Sequence, residues 1–395
     1  MLITHPQKEK PQNLKDYPFF STIVPAWNEE KSIIPTLKSL ISLDYPKDKM
    51  EIVVVNDGST DKTAIFVKEF IEDNKDFNIK LINQKNKGKG SALNTGLKHI
   101  KGKYFACLDA DSFISSNALQ VMLPYFEEDS QVVAVCPLMK IQKPNSIIEK
   151  VQWYEYVINM FYRDLNSKLD CIHVTPGPFS VYRTNVVNKL GGFDEKTITE
   201  DLEMAIRLQN HHYKILQTFD TIVETIPPKT WRSLFYQRTR WYKGSVDNTI
   251  RYRHLLFNRK YGDFGFLRMP TIILSGVLAI FLVFVIIREL LNITISLFSK
   301  YSAIDFNLIP LITQTNFQID ILDLNFAKLF ITLTIAAVSF GIMLYSHKII
   351  NEKITRHGKT FFSLITYLFI YSIFLTFVWI YILYLYVRGK VGKWR

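Results

Sequence analysis

The spacing of apolar residues divides this chain into two regions with different periods. Up to about Arg268, short apolar runs alternate with stretches whose apolar positions recur at helical spacing. Phe19 to Pro25, Glu51 to Val55, Ile79 to Ile82 and Tyr104 to Leu108 read as strands, rich in β-branched and aromatic residues and bounded by turn formers. Ile33 to Leu43, a stretch from Lys62, and Ser91 to Ile100 read as the intervening helices. This order predicts an α/β fold with a mostly parallel, Rossmann-like sheet covered on both faces. Ligands in such sheets bind beyond the carboxyl ends of the strands. Pro25 to Glu29, Asp57 and Asp109 to Asp111 stand at those ends.

Beyond Arg268 the pattern loses its polar phase. Pro270 to Ile287, Leu329 to Ser346 and Phe361 to Val387 are free of charge, and about 20 apolar helical residues cross a ~30 Å hydrocarbon core. They read as membrane spans rather than buried helices of a soluble protein. The expected organisation is a polar segment over 1–18, a catalytic domain over 19–228, basic interfacial helices over 229–268 and a transmembrane region over 269–395.

Charge refines the topology. Asp305, Asp320 and Asp323 dominate between the first two spans, whereas Lys348, Lys353, Arg356 and Lys359 mark the next connection as cytosolic. Three full crossings would then put Arg388, Lys390, Lys393 and Arg395 outside, against the same rule. Phe361 to Val387 would measure ~40 Å as a helix and must tilt or bend. One of the three stretches is therefore expected to be re-entrant or interfacial. No N-terminal signal or span is visible, and Lys8, Lys10 and Lys15 are near the start, so the catalytic part is expected in the cytosol. The net charge of +12 does not argue for nucleic acid, because ten Lys/Arg against two Asp fall between Lys229 and Arg268, directly before the first span. There an anionic leaflet attracts them. Cys107, Cys136 and Cys171 lack metal-type spacing and read as reduced structural thiols.

Most motifs admit two readings when taken singly. Pro25-Ala26-Trp27-Asn28-Glu29-Glu30 fits the edge of a nucleotide base or an ordinary helix start with acidic first-turn residues. Asp57-Gly58-Ser59 fits base or ribose contact or a capped turn. Lys87-Gly88-Lys89-Gly90 before a helix fits phosphate binding or a solvated charged loop. Asp109-Ala110-Asp111 is sharper: residues two apart on an extended chain share a side, and paired carboxylates after an apolar strand suit a divalent cation with substrate phosphates. Thr197 and Glu200 have capping-box spacing. Asp201 then falls in the first helical turn, where the dipole should keep it ionised as a modest base. Gln237, Arg240 and Trp241 share a helix face that offers an amide, a cation and a sugar-stacking plane, while Arg238 and Lys243 are free to face lipid.

Together, in this order, these stretches resemble the family 2 inverting glycosyltransferases of GT-A fold, and within them the membrane-integrated synthases of poly-N-acetylglucosamine, hyaluronan and cellulose. The resemblance covers about Phe19 to Gly244. It implies that Pro25, Glu29, Asp57, Lys89 and Asp109 hold the UDP-sugar donor and that Asp111 holds Mg²⁺ or Mn²⁺ on the diphosphate. It makes Asp201 the general base and assigns Glu200, Gln237, Arg240 and Trp241 to acceptor and pyrophosphate. Thr175-Pro176-Gly177-Pro178-Phe179-Ser180 corresponds to a loop beside the acceptor, and Arg183 to a recurrent arginine. The implied acceptor is a growing polysaccharide; the alternatives are one-step transfer to a lipid carrier of the polyprenyl phosphate type and a catalytically silent scaffold. Membrane lipid is an expected partner, and a second copy or a partner membrane subunit a further one. Most synthases of this group begin with membrane helices, which the first eighteen residues do not supply, and Asn56 stands where aspartate is common.

Overall fold

The computed structural model describes residues 14, 16–303, 326–352 and 360–389. Eight strands form one mixed sheet in the order β3-β2-β1-β4-β7-β6-β8-β5. The first four alternate with helices as their apolar runs predict: β1 (Phe20–Ala26), α1 (Ile33–Ile41), β2 (Met50–Asp57), α2 (Thr63–Asp73), β3 (Asn78–Gln84), α3 (Lys89–Leu97) and β4 (Tyr104–Cys107). β1 pairs in parallel with both β2 and β4, and β2 with β3. Every residue of β2 is buried, as expected for a central strand covered on both faces.

The second half of the sheet departs from simple alternation. It comprises β5 (Ser112–Ile114), the short helices α4 (Ala118–Met122) and α5 (Pro124–Glu128), β6 (Val132–Ile141), α6 (Ile147–Lys168), β7 (Ser180–Arg183), α7 (Thr184–Lys189), α8 (Glu200–Asn210) and β8 (Lys214–Thr225). β7 runs antiparallel between β4 and β6, and β5 antiparallel beside β8, while β6 and β8 are parallel. One apolar core gathers Phe20, Val24, Leu37, Val54, Leu108 and Phe179; the other gathers Ile23, Val53, Leu93, Phe105, Met204 and Leu208. The alternating register of β1 and β2 sends neighbouring side chains into opposite cores.

α9 (Trp231–Arg251) leaves the sheet domain, its N-terminus closed by a Thr230–Ser233 capping box. A π-turn over Phe264–Arg268 leads into α10 (Met269–Ser302), followed by α11 (Phe326–Ile349), α12 (Thr360–Ile365) and α13 (Ser372–Val387). Three apolar helical stretches, Phe264–Ser302, Leu329–Ile349 and Phe362–Val387, are long and apolar enough to cross a membrane. The first outruns its uncharged stretch: α10 continues through Arg288 and Glu289 for 34 residues, ~51 Å at 1.5 Å per residue. A π-turn over Thr366–Tyr371 interrupts the third, a recognised cause of helix bending. Tyr242 of α9 stacks on Trp379 of α13 at 5.1 Å. The polar segment up to residue 13, Lys15, Asp305, Asp320, Asp323, Lys353, Arg356, Lys359, Lys390, Lys393 and Arg395 lie outside the described residues, so the charge-based topology rests on sequence.

Candidate active site

The site forms at the carboxyl ends of β1, β2 and β4, where three loops meet the N-terminus of α8. Pro25, still in β1, pairs with Val55. Glu29 follows; its N–H donates to Thr63 Oγ1 at 2.8 Å and its carboxylate accepts from Ser32 Oγ. Asp57 ends β2 rather than starting a turn. Its carboxylate accepts from Gln84 Nε2 at 2.7 Å, Lys87 N–H at 3.0 Å and Gly88 N–H at 2.9 Å. It thereby fastens the loop that delivers Lys89, and much of its hydrogen-bonding capacity is spent internally.

Asp109-Ala110-Asp111 is not extended, as its alternation suggested. It is a tight connection from β4 into β5, closed by Ser112 N–H to Asp109 C=O at 3.0 Å and by Thr36 Oγ1 to Ala110 C=O at 2.9 Å. The carboxylates still converge. Burial, reinforced by Asp109 and Glu29, pushes Asp111 up to about 7, against the hydrogen bond from Ser112 Oγ at 3.1 Å. Burial, with Asp109 and Asp61, likewise raises Glu29. Negative charge is therefore crowded on this side.

Lys89 is the cation of this cluster. Its Nζ lies 2.6 Å from Asp109 Oδ1 and 3.0 Å from Glu200 Oε1, joining the Asp-Ala-Asp turn to the Thr199-Glu200-Asp201 segment. Those two carboxylates hold Lys89 charged well above the ordinary range despite its burial. Glu200, although buried, is held below its usual value by Lys89 and by Arg240. The Thr197–Glu200 capping box does not form: Thr199 is the cap residue and makes no side-chain cap bond. Glu200 turns to Lys89 instead, since pairing a buried carboxylate with a cation outweighs one exchangeable cap bond.

Asp201 opens α8 and accepts from Leu202 N–H at 2.8 Å. The helix dipole does not dominate its acidity. Burial first, and Glu200 second, push it up to about 6 against Lys89 and Arg240. Thr175 donates from its N–H and, at 2.9 Å, from its Oγ1 to the Asp201 carbonyl, seating the Thr175–Ser180 loop on α8. That loop reaches the ion pair. A Cβ at Gly177 would stand 2.6 Å from Lys89 Nζ and 2.8 Å from Asp109 Oδ2, so only glycine admits the backbone here without displacement.

The helix carrying Gln237, Arg238, Arg240 and Trp241 is split by the structure. Arg240 acts on both Glu200 and Asp201. Gln237 and Trp241 group with Arg238 instead: Gln237 Oε1 accepts from its guanidinium, and the Trp241 ring lies 4.2 Å beneath it. Arg238 does not face lipid, contrary to expectation. It is fully buried, paired with Glu155 of α6 and bonded to Tyr371 Oη at 3.0 Å. Lys243 is also buried and bonds Asp247 at 2.6 Å. A Cβ at Gly244 would meet Thr199 Oγ1 at 2.3 Å, so this glycine lets α9 lie directly on the segment that carries Asp201. Arg183 serves the sheet, donating to the carbonyls of Val132 at 2.7 Å and Asp129 at 3.2 Å.

Sequence reading missed Glu155 and Tyr156. Tyr156 is under the combined influence of Arg238, Glu155, Asp111 and Asp109, which places it between the α9 cluster and the acidic turn. Neither residue belongs to a motif, and nothing in α6 marks them.

Residues 21–191 match the family described as Glycosyl transferase family 2. Those residues therefore form a family 2 glycosyltransferase domain. It is 33% identical over 267 residues to a probable glycosyltransferase, YdaM, of Bacillus subtilis, covering 63% of this chain and 60% of that protein. It is 32% identical over 233 residues to the poly-beta-1,6-N-acetyl-D-glucosamine synthase of Staphylococcus epidermidis, covering 58% of this chain and 55% of that protein. The chain thus spans little more than half the length of these relatives. A mannosyltransferase of Pyrobaculum calidifontis, solved with GDP-Man and Mn²⁺, superposes over 93% of this chain and 92% of its own with a TM-score of 0.58 at 20% identity. That likeness establishes the GT-A fold.

The residues present suit a divalent cation. Asp109, Asp111 and Glu29 supply hard oxygen donors whose mutual repulsion raises Asp111 and Glu29, and a cation would relieve it. Among the described residues no group of three or more His, Cys, Asp or Glu is preassembled as a cage. That is compatible with Mg²⁺ or Mn²⁺, which complete their shells with substrate phosphates and water.

Proposed function

We propose that this protein is a membrane-bound inverting glycosyltransferase that moves a sugar from a UDP-sugar, UDP-N-acetylglucosamine in the first instance, onto a growing β-linked polysaccharide. The observation that carries this reading is the Lys89 bridge, which draws the acidic turn and the Thr-Glu-Asp segment around one space. The synthases among its relatives support the polysaccharide and the sugar. The basic run before the first apolar helix supports a cytosolic catalytic domain on the membrane surface.

The reaction is a single displacement. Asp201, ionised above about pH 6, accepts the proton of the acceptor hydroxyl as its oxygen attacks the anomeric carbon. The bond from that carbon to the diphosphate breaks on the opposite face, and UDP departs with the electron pair. A divalent cation held by Asp111, with Asp109 beside it, would stabilise the leaving diphosphate as a Lewis acid. Lys89 offers its ammonium to the phosphates, and Arg240 reinforces the positive side of the pocket. Glu29, Pro25 and Asp57 bound the nucleoside end of the cleft, and Gln237 and Trp241 bound the acceptor end.

The test is UDP release by the purified full chain in lipid nanodiscs with Mg²⁺ or Mn²⁺, offered several UDP-sugars and GDP-mannose. Turnover with one UDP-sugar and a polymeric product is expected. Asp201→Asn should lower kcat by about 10²- to 10⁴-fold, the usual worth of a positioned base, while UDP binding stays intact. Undiminished turnover by that variant, or use of GDP-mannose alone, would overturn the assignment.

A further inference from the structure

A second set of cations, half-buried Arg163 and Arg268, reaches Asp201 through Arg163, and the displacement chemistry does not employ it. Arg163 of α6 donates from Nε to Gln217 Oε1 at 2.7 Å and from Nη2 to the Val174 carbonyl at 3.5 Å. Arg268, the last residue before α10, points an Nη2 at His173 Nε2, 2.6 Å away, and its Nε is buried without a hydrogen-bond partner. Among the described residues neither arginine is ion-paired with a carboxylate. His173 cannot be the missing anion. Burial and the two arginines push its imidazole well below the ordinary range, so it is neutral and accepts from Arg268. Arg163 is engaged first by the Cys136 thiol and then by Asp201, the site carboxylate that acts on it, which sets the cluster beside Asp201.

Two cations gathered around one neutral imidazole repel each other and leave donors unused, an arrangement that costs free energy without an anion. The rim of the cluster says where that anion comes from. Phe257, Phe266, Leu267 and Tyr162 are all exposed around the start of the first apolar helix, and Phe257 meets Phe266 edge-to-face at 6.2 Å. A cationic socket inside an apolar and aromatic collar matches a phosphate carried on acyl or isoprenoid chains at the headgroup level of a bilayer. A soluble anion would gain nothing from the collar.

We infer that Arg163, His173 and Arg268 form a binding site for the phosphate of a membrane lipid, seated beside Asp201 at the mouth of the acceptor cleft. The two guanidiniums supply forked donors for the phosphate oxygens, and His173 keeps Arg268 aimed. The inference takes its position at an acceptor cleft from the proposed function, but its test reads binding without turnover, so either can fail alone.

Phosphatidic acid in phosphatidylcholine is the probe, with binding to the purified full chain followed by native mass spectrometry. Arg268→Gln and Arg163→Gln should each weaken phosphatidic acid binding by about tenfold or more, the worth of a charge-assisted hydrogen bond. Lys260→Gln, an exposed cation on the same basic stretch, should change it less than twofold. UDP binding, which occurs at the other end of the cleft, checks that each variant is folded. Equal losses in all three variants would reduce the effect to diffuse surface charge and overturn the site. Displacement of the lipid by millimolar inorganic phosphate would overturn the lipid assignment, because it would show that the collar contributes nothing.

Discussion

The proposed donor side and the proposed acceptor side of this cleft are built from opposite charges, and they handle burial differently. Glu29, Asp109 and Asp111 crowd the donor side, where Lys89 is the cation and Asp111 rises to about 7. Cations and aromatic rings fill the acceptor side, where Arg238 is held by Glu155, Gln237, Tyr371 and the Trp241 ring. The carboxylates of the first side are left under-neutralised, as the proposed binding of a metal and a diphosphate there would need. A region that ties the sheet domain to the apolar helices closes its charges internally. A cation therefore carries different meanings in the two places: in the proposed mechanism Lys89 exchanges a carboxylate partner for a phosphate, whereas Arg238 is held by Glu155, Gln237 and Tyr371.

The largest expected effect would break that contrast if it failed. Glu155→Gln leaves Arg238 buried without its carboxylate, which costs roughly 3–5 kcal/mol when one member of a buried pair is removed. Thermal unfolding of the purified chain in detergent should show a large drop in Tm. The double variant Glu155→Gln with Arg238→Met should recover most of it, because no buried charge then remains. UDP affinity of the folded fraction should be unchanged in both. If UDP binding falls along with stability, the α9 cluster belongs to the donor site after all.

A smaller effect separates burial from dipole at Asp201. Its carboxyl is raised to about 6 by burial first and Glu200 next, so the basic form is lost as pH falls through 6. kcat/KM should be flat from about pH 7 to 8 and drop tenfold per unit below about 6. A break near 4 would return control to the helix dipole. The sign for stability is the reverse. A raised carboxyl stabilises the fold when protonated and loses that contribution as pH rises through 6, so Asp201→Asn should raise Tm by a few degrees at neutral pH while lowering kcat by about 10²- to 10⁴-fold.

Local pattern made the first four strands and their parallel sense legible, because β1, β2 and β4 contain apolar runs; β3 is only partly buried, and the order β3-β2-β1-β4 is settled by packing. The antiparallel β7 and β5 were not legible, since direction depends on which edge of the sheet a short strand finds. Spacing placed Asp109 and Asp111 together but for the wrong reason, a turn rather than an extended strand. Thr197 and Glu200 had the spacing of a cap, yet Lys89, 111 positions away from Glu200, claimed the carboxylate. Helical phase put Arg238 on the lipid side; only the arrival of Glu155 and Tyr371 from distant helices shows why it is buried. The residues that sequence misplaced are those whose partners come from elsewhere in the chain.

Gly177 sharpens the comparison because it is where the acceptor loop touches the donor side. Alanine there would bring a methyl group to 2.6 Å from Lys89 Nζ and 2.8 Å from Asp109 Oδ2. Lys89 is flexible and can yield, but its movement loosens the contact with Glu200 or with Asp109. Small-to-large changes in a tight site typically cost 1–3 kcal/mol, so Gly177→Ala should lower kcat/KM by about ten- to a hundredfold. Because Lys89 faces the donor phosphates in the proposed mechanism, the loss should appear mainly in UDP affinity, measured by titration calorimetry. Acceptor-dependent steps should suffer little. A variant with normal UDP affinity and a defective acceptor step would instead mean that the Lys89 bridge is a strut between loops, and that the diphosphate is held by Arg240.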